Sequence, residues 1–432
     1  MKFIKATAAA AAIIVAAGCG GGGDGGTKKA AAPPKAADPA KLVVWQMGGG
    51  SPEQTKFLDS VEAQFRQRHP NTDVQIKYVP WPQVATTFQK ALAGGDAPDV
   101  TEIGNTDVQS YIEQGVLADI SGRIRGWAEG ATLSKGALAN DQADGKIYAV
   151  PWYGGVRAIW YRKDWFSQLG LQPPQNWADL VAAAKKIQDA KHIPGIAAPS
   201  DFTNGILSFV WANGGEVATK QGDQWVGRLD QPQAKEAIEF YTGLVTKDKV
   251  APEKYVGKNE LQGPQQDFAL GKVGMYIDGS WALPQLEKIS KKNKDNWGTF
   301  PIPGKMGGTA PVFSGGSDLA VWAKSQSKDV AFDYVTVLNS KTNAQAFADT
   351  LKFLPQFSDV LQGGKYKNDP LMAAFAAAAA GGVKFTPTSK GWADFEAARK
   401  VVPNAVKDII QGKSVDDELK KADDQANTLL NP

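Results

Sequence analysis

Tryptophan is the residue type whose number and placement in this chain indicate a binding chemistry. The 432 residues include thirteen tryptophans, at positions 45, 81, 127, 152, 160, 165, 177, 211, 225, 281, 297, 322 and 392. Several adjoin Gly, Pro, Ser or Asp at predicted strand ends, where a half-exposed ring is favourable. Such rings stack on the C–H faces of sugars, while Asp, Asn, Gln and Arg side chains bind sugar hydroxyls. The composition therefore predicts a carbohydrate-binding surface.

Metal and catalytic chemistry have weaker support. Two histidines, His69 and His192, and one cysteine, Cys19, are too few for a transition-metal site. The chain has no GxSxG or HExxH motif. A secreted glycan hydrolase needs two carboxylates roughly 5 to 10 Å apart, and the 45 acidic residues leave that alternative open. We expect a binding protein without cofactor or metal rather than an enzyme.

Cys19 follows an export signal. Lys2 and Lys5 precede an apolar run over residues 6–17, and "AAG" stands directly before the cysteine. A basic start, a short apolar run and small residues are typical of a secretory signal. The cysteine resembles the lipid acceptor of bacterial lipoproteins, with Ala16 where leucine is usual. We expect a signal peptide at 1–18, then a lipidated Cys19 and a disordered Gly/Ala/Pro tether to residue 40. The mature protein would then be exported and anchored to the outer face of the cell membrane.

The rest of the chain is long enough for two domains, with about 390 residues to fold. The net charge of +3 is spread among acidic and basic residues without a basic stripe. This pattern disfavours nucleic acid as a partner, and no later apolar run reaches the length of a membrane span.

Strands and helices alternate from residue 41 onward. "KLVVWQM" reads as a strand, and Ser51, Pro52 and Gln54 predict the start of a helix. "TDVQIKYV" and "PDVTEI" read as further strands, each followed by a helix. This alternation predicts an α/β fold with a mainly parallel, doubly wound sheet.

Ligands of such sheets bind beyond the carboxyl ends of the strands. After the first and third strands these positions hold Met47, Ser51, Glu102, Asn105 and Asp107. For Ser51 we favour a helix cap, whereas Glu102 and Asp107 are equally compatible with a turn or a ligand contact. A later strand ends in a similar group of candidates: Asp278, Gly279, Ser280 and Trp281.

Several separated motifs together resemble the extracellular solute-binding proteins of bacterial ABC importers, the family that includes the maltodextrin-binding proteins. The motifs are "ALAGGDAPDV", "YIEQGVLADI", "GKIYAVPWYGGVRAIWYRKDWFSQLGL" with "NWADL", "FALGKVGMYIDGSWAL", "GGSDLAVWAKS" and "LKFLPQ". The resemblance implies two discontinuous lobes with a ligand cleft between them. The N-terminal lobe would comprise 41–154 plus 313–352, and the C-terminal lobe 157–310 plus 356–432. It also implies hinge crossings near Gly154, near residues 311–314 and near Leu354, a monomer, and the importer's permease subunits as partners.

The resemblance also implies individual ligand contacts. Trp281 in "DGSWAL" is expected to stack on a sugar ring, and Trp392 in "SKGWADF" to face the cleft. The other residues expected near the ligand are Trp152, Tyr153, Arg157, Asp201, Phe202, Asn204, Gly315, Gly316, Ser317 and Asp318.

Five further tryptophans are expected either to face the cleft or to pack in the interior. Trp45 is a candidate for a strand-end position with its ring in the cleft. Trp81, between two prolines, fits either a cleft position or a cover on the sheet edge. Trp160, Trp165 and Trp177 are expected to pack in the interior.

The sequence leaves more than one class of ligand open. A peptide or polyamine would suit the same fold, but a polyamine site needs clustered carboxylates. The tryptophan count favours a di- or short oligosaccharide, because a single sugar ring requires fewer aromatic surfaces.

Overall fold

The computed structural model describes residues 38–257, 262–381 and 383–432. The predicted signal peptide, Cys19 and the tether up to residue 37 lie outside the described residues. Among the described helices, none has both the length and the apolar character to cross a bilayer.

The strands of the described residues are numbered in chain order. They are β1 (Lys41–Met47), β2 (Asp73–Val79), β3 (Val100–Gly104), β4 (Gln142–Ala143), β5 (Lys146–Ile147), β6 (Ala149–Gly155), β7 (Arg157–Arg162), β8 (Ala218–Gln221), β9 (Gln224–Gly227), β10 (Met275–Gly279), β11 (Trp297–Phe300), β12 (Val312–Phe313), β13 (Gly315–Val321), β14 (Leu354–Pro355) and β15 (Val383–Lys384).

The α-helices are numbered in the same way. They are α1 (Pro52–Arg66), α2 (Val84–Leu92), α3 (Val108–Glu113), α4 (Ser121–Gly126), α5 (Lys135–Asn140), α6 (Lys163–Gln168), α7 (Trp177–Lys191), α8 (Thr203–Ala212), α9 (Pro232–Thr246), α10 (Gln262–Ala269), α11 (Ala282–Ser290), α12 (Lys328–Leu338), α13 (Lys341–Leu351), α14 (Ser358–Gln362), α15 (Lys365–Asn368), α16 (Ala373–Gly381), α17 (Val401–Ile410) and α18 (Val415–Leu429).

The larger sheet has six strands in the order β14-β6-β13-β3-β1-β2. Strand β1 pairs in parallel with β2 and β3, as the alternating sequence predicts. Strand β13 runs antiparallel to both β3 and β6. The expectation of a mainly parallel sheet is therefore wrong beyond the first strands. The reason is that the chain re-enters the sheet at the edge where β3 and β6 end, so β13 has to run in the opposite direction.

The second sheet has three strands in the order β10-β7-β11. Both β10 and β11 pair antiparallel with β7, so the second sheet is not a parallel sheet either. We call the part of the molecule built around the six-stranded sheet the first lobe. The part built around the three-stranded sheet is the second lobe.

The hydrophobic cores separate along the same division. Two clusters, one containing Leu42 and Val44 and the other Trp45 and Met47, draw buried residues from 42–153 and 319–357. Neighbouring residues of β1 belong to different clusters because side chains alternate between the two faces of a strand. A third cluster takes its residues from 156–313 and 348–430. Both lobes are thus discontinuous in sequence, and the lobe limits given above remain predictions.

The three connections between the lobes pair with one another. Gly155 at the end of β6 lies opposite Gly315, and Gly154 lies opposite Gly316. On the other side of β6, Gly154 lies opposite Leu354. Gly316 has a φ of 138°, which residues with a side chain rarely adopt. The crossings therefore form one narrow hydrogen-bonded ribbon between the lobes.

The start of α1 follows the sequence prediction in part. Ser51 Oγ accepts a hydrogen bond from the Gln54 N–H at 3.2 Å, and Pro52 is the first helical residue. The Gln54 side chain does not complete a capping box. Its Nε2 instead donates to the Met47 carbonyl at 3.1 Å and so ties the helix to the end of β1. The cap assigned to Ser51 is confirmed.

Candidate functional site

The candidate site lies where the strands of both lobes end near the crossings. In the first lobe this edge contains the last residues of β1, β2, β3 and β6 and the first residues of β13. In the second lobe it contains the end of β10 and the start of β7. This is the edge at which open α/β sheets bind ligands.

Glu102 is buried at this edge and braces four strands. Its Oε2 accepts the Met47 N–H at 2.8 Å, and its Oε1 accepts the Tyr153 hydroxyl at 2.6 Å. Ser317 Oγ in turn donates to Tyr153 Oη at 2.9 Å. Burial raises the pKa of Glu102 to about 7, although these hydrogen bonds oppose the rise. Both carboxyl oxygens are engaged inside the lobe, so Glu102, Tyr153 and Ser317 hold β1, β3, β6 and β13 in register.

Asn105 and Asp107 follow β3. The Asn105 N–H donates to the Gly316 carbonyl at 3.2 Å, and its side-chain amide donates to the Ser314 carbonyl. Asn105 thereby fastens the β3 loop to the second crossing. Asp107 precedes α3 without capping it through its side chain. Burial raises the pKa of the Asp107 carboxyl to about 6.

Asp278 and Ser280 fix the loop after β10. Asp278 Oδ1 accepts the Gly279 N–H at 2.7 Å. Ser280 Oγ donates to the Lys352 carbonyl, just before the third crossing. The loop that carries Trp281 is therefore attached to the segment that leads out of the first lobe.

Trp281 lies in a stack of aromatic rings at the crossings. Its ring is parallel to that of Phe353, with centroids 5.4 Å apart and an interplanar angle of 21°. Phe353 also contacts the Tyr153 ring at 4.3 Å. Sequence reasoning missed Phe353, although "LKFLPQ" marked the crossing beside it. The stack connects the two lobes through side chains.

Arg157 completes the surroundings of Trp281. Its guanidinium carbon lies 5.0 Å from the centroids of both the Trp281 and the Phe313 rings. Its Nη1 donates to the Gly155 carbonyl at 2.9 Å. A Cβ on Gly155 would lie 2.8 Å from Trp281 Cζ3, so a glycine is needed there for the indole to fit. The structure thus brings Arg157 and Trp281 together.

Two other candidate tryptophans, Trp45 and Trp152, are buried. Trp45 is the fifth of seven residues in β1 rather than a strand-end residue, and it meets Phe88 edge-on at 5.5 Å. Trp152 packs against Phe347 at 4.6 Å. Each has only 1% of its surface exposed, so packing occupies these rings. Their assignment to ligand contact stays a prediction.

Trp392 is equally buried, with 1% of its surface exposed. Its Nε1 donates to Glu396 at 2.6 Å, and its ring stacks on Phe395 at 5.2 Å.

Among the tryptophans expected to pack, Trp160 and Trp177 lie in the second-lobe core, with Trp165 partly buried against it. That expectation is confirmed.

The remaining candidates are spread around the crossings and α8. Phe202 is in the second-lobe core, and Asp201 forms an ion pair with Lys400 at 2.7 Å. Asn204 Oδ1 is buried without a hydrogen-bond partner among the described residues. Gly315 and Gly316 belong to the second crossing. Met47 lies at the end of β1 and is buried.

Asp318 and Asp141 form a pair of buried carboxyls that interact with each other. Burial raises the pKa of Asp318 to about 8. Burial also raises the pKa of Asp141, and the neighbouring Asp318 raises it further. The pair therefore holds a proton at neutral pH. Within the described residues, no group of three or more His, Cys, Asp or Glu side chains is arranged to hold a metal ion.

Two discontinuous α/β lobes, three paired crossings and a site at the junction define a two-lobe solute-binding protein. Residues 48–345 match the family described as bacterial extracellular solute-binding proteins, and the chain belongs to this family.

Individual relatives extend the match beyond those residues. The diacetylchitobiose binding protein DasA of Streptomyces coelicolor is 30% identical over 399 residues, covering 90% of this chain and 89% of DasA. The GacH receptor of Streptomyces glaucescens, solved unliganded and with acarbose, has a TM-score of 0.79 at 23% identity over 90% of this chain and 98% of GacH. A solute-binding protein of Thermotoga lettingae, bound with α-D-tagatose, has a TM-score of 0.78 at 22% identity over 91% of this chain and 100% of that chain.

Proposed function

We propose that this protein is the solute receptor of an ABC importer and that it binds a di- or short oligosaccharide between its lobes. It would deliver this solute to the permease subunits in the membrane. The observation that carries the proposal is the position of Trp281, an indole on the loop after β10 that is held against the crossings by Phe353 and Arg157. An indole at the junction can contact a sugar ring, and its own position depends on how the two lobes are arranged.

The relatives support the same class of ligand. DasA is named for diacetylchitobiose, and the GacH receptor was solved with acarbose. Both compounds contain sugar rings. A ring that stacks on Trp281 would have its hydroxyls close to the polar groups of the crossings.

The energetics of such a site are feasible without covalent chemistry. A micromolar dissociation constant corresponds to about 8 kcal/mol. Hydrogen bonds to charged groups contribute about 1.5 to 3 kcal/mol each, and stacked rings add to this. Closure of the lobes is then a population shift, because contacts from both sides exist only in the closed form.

Cys19 is the proposed attachment point. A receptor that works with a membrane permease gains from a lipid anchor, since it cannot then diffuse away.

The test is a ligand screen on purified residues 41–432 by thermal shift and calorimetry. Mono-, di- and oligosaccharides, including N-acetylated ones, are compared with amino acids, peptides and polyamines. A ligand at one hundred times its dissociation constant stabilises the folded protein by about 2.7 kcal/mol. The proposal predicts that a saccharide raises the melting temperature. A shift with a peptide or polyamine and with no saccharide would show that the ligand class is wrong.

A further inference from the structure

We propose that the second lobe carries a membrane-docking surface at the end of its sheet that is remote from the crossings, and that the partner is an anionic phospholipid bilayer. This distal surface consists of the segments 162–165, 267–272 and 287–296. The inference goes beyond solute binding, and it rests on the proposed function only in placing the protein at the outer face of the membrane.

The topology of the second sheet brings the three segments together. Arg162, the last residue of β7, lies opposite Trp297, the first residue of β11. Its N–H also donates to the Gly274 carbonyl at 3.2 Å, directly before β10. The loop after β7 and the loops before β10 and β11 therefore meet at one edge of the sheet. Arg157 and Gly279, which pair next to the candidate site, lie at the opposite edge.

Side-chain contacts join the same segments. A Cβ on Gly271 would lie 2.8 Å from Arg162 Nη1 and 3.8 Å from Trp165 Cζ2. Asn293 Nδ2 donates to the Ala269 carbonyl at 2.8 Å. The residues around Trp165, Gly271 and Asn293 therefore form one continuous surface.

The acidic groups of the distal surface are largely neutralised within the protein. The three segments contain seven basic and four acidic side chains. Three of the acids form ion pairs at 2.5 to 2.6 Å: Asp164 with Arg162, Asp267 with Lys254 and Glu287 with Lys294. The fourth acid is Asp295, so the surface keeps an excess of positive charge.

The remaining lysines supply the attraction for an anionic partner. Four of them are exposed and form no ion pair within the described residues: Lys163, Lys288, Lys291 and Lys292. Clusters of about four to eight basic residues are attracted to anionic lipid surfaces. The charge of the distal surface is therefore complementary to such a bilayer.

Apolar groups among the lysines favour a bilayer over a soluble polyanion. Leu270 has 43% of its surface exposed, and Trp165 is only partly buried. The Arg162 guanidinium lies 4.1 Å from the centroid of the Trp165 ring, and Lys191 Nζ lies 5.8 Å from it. Tryptophan beside cationic groups is typical of the membrane interface, where the ring sits at the level of the headgroups. The leucine can enter the acyl boundary while the lysines stay at the phosphates.

Docking at this edge is compatible with solute binding. The distal surface and the candidate site lie at opposite ends of the second sheet, so a bilayer contact leaves the ligand edge free. In a protein held by a lipid anchor, even a weak contact is populated, because the anchor keeps the surface at a high effective concentration.

The experiment measures co-sedimentation with vesicles of equal parts phosphatidylglycerol and phosphatidylcholine, and with vesicles of phosphatidylcholine alone. The parent protein is the exported chain with Cys19→Ala, which excludes a contribution from a lipid anchor. We expect binding to the anionic vesicles only, with loss of binding in about 1 M salt. The double variant Lys291→Glu/Lys292→Glu should weaken this binding by about tenfold or more. Leu270→Ala should weaken it by about threefold.

The matched control is Lys56→Glu/Lys135→Glu, which reverses the same charge at exposed residues of the first lobe. It should bind the anionic vesicles within about twofold of the parent protein. Equal losses in the two double variants would show that net charge alone acts, and the distal surface would be wrong. It would also be wrong if the parent protein binds no anionic vesicles, or if Lys291 and Lys292 support binding to soluble polyglutamate but not to vesicles.

A second measurement identifies the face that meets the bilayer. Brominated acyl chains quench indoles that reach them, so anionic vesicles with a brominated lipid should lower the fluorescence of the parent protein. The quenching should be smaller in Trp165→Phe and unchanged in Trp81→Phe, which alters an indole with 47% exposure on the first lobe. Full quenching in Trp165→Phe would mean that another face docks, and would overturn the proposal.

Calorimetry with saccharides separates this proposal from the proposed function. Lys291→Glu/Lys292→Glu should bind the solute as the parent protein does. If the parent protein binds a saccharide but no vesicles, the proposed function stands and the docking surface fails. If it binds anionic vesicles through the two lysines but no saccharide, the docking surface stands and the proposed function fails.

Discussion

The Trp281 indole stacks on the Phe353 ring with centroids 5.4 Å apart, although the two residues lie on different segments that meet at the crossings. Trp281 follows β10 of the second lobe, and Phe353 directly precedes β14, the last crossing. The contact makes the orientation of the proposed sugar-stacking ring depend on the hinge.

Trp281→Ala should lower saccharide affinity at least tenfold, which corresponds to about 1.4 kcal/mol, because the stacking surface is lost. Calorimetry measures the affinity, and circular dichroism checks that the fold is retained. Leu270→Ala, at an exposed residue, is the control. Unchanged affinity in Trp281→Ala would remove this residue from the site.

Gly279→Ala should weaken binding by displacing Trp281 without removing it. A Cβ at residue 279 would lie 2.1 Å from Trp281 Cζ3, so the indole or the loop has to move. The matched control is Gly136→Ala in α5, where a Cβ meets nothing within 4 Å. We expect the control to bind normally and to be up to about 1 kcal/mol more stable. Equal affinities for the two variants would contradict the steric argument.

The Glu102 carboxyl should make stability fall as pH rises from 4.5 to about 7. Burial raises its pKa from 4.5 to about 7, so the folded state keeps its proton longer than the unfolded chain does. Its contribution is complete below pH 4.5 and is lost as pH rises through 7, on the order of 3 kcal/mol. Glu102→Gln should flatten this part of the melting-temperature profile. A profile that keeps the wild-type slope would show that Glu102 is not the titrating group.

Asp141→Asn should stabilise the protein at and above pH 8. Burial raises the pKa of both Asp141 and Asp318, the latter to about 8, so ionising the pair destabilises the folded state. The asparagine removes one of the two buried charges and should raise the melting temperature by several degrees. Asp223→Asn, at an exposed residue, should leave it unchanged. A lower melting temperature for Asp141→Asn at pH 9 would refute this reasoning.

Cys19→Ala should release the protein from the membrane. If Cys19 carries the lipid, the wild type fractionates with membranes and takes up radiolabelled palmitate, whereas the variant is found in the soluble exported fraction. Because Cys19 is the sole cysteine, no other thiol can substitute. A variant that remains in the membrane fraction would exclude Cys19 as the anchor.

The sequence by itself determined the local elements and the strand-end positions. Short apolar runs and apolar alternation located β1, β2 and β3, and Ser51 with Pro52 located the start of α1. These features depend on neighbouring residues, whose spacing is visible in the sequence. The lobe limits at the crossings, which the resemblance to a known family implies, remain predictions.

The tertiary structure alone decided strand direction and which polar and aromatic side chains are available to a ligand. It made β13 antiparallel, committed Glu102 to Tyr153 and buried Trp45, while leaving Trp81 in solvent. It also brought Phe353 against Trp281. Exposure and pairing depend on contacts between residues distant in the chain, and Trp281 and Phe353 are 72 positions apart. Residue type and spacing do not predict such contacts, because the contacts form only when the separate segments pack together.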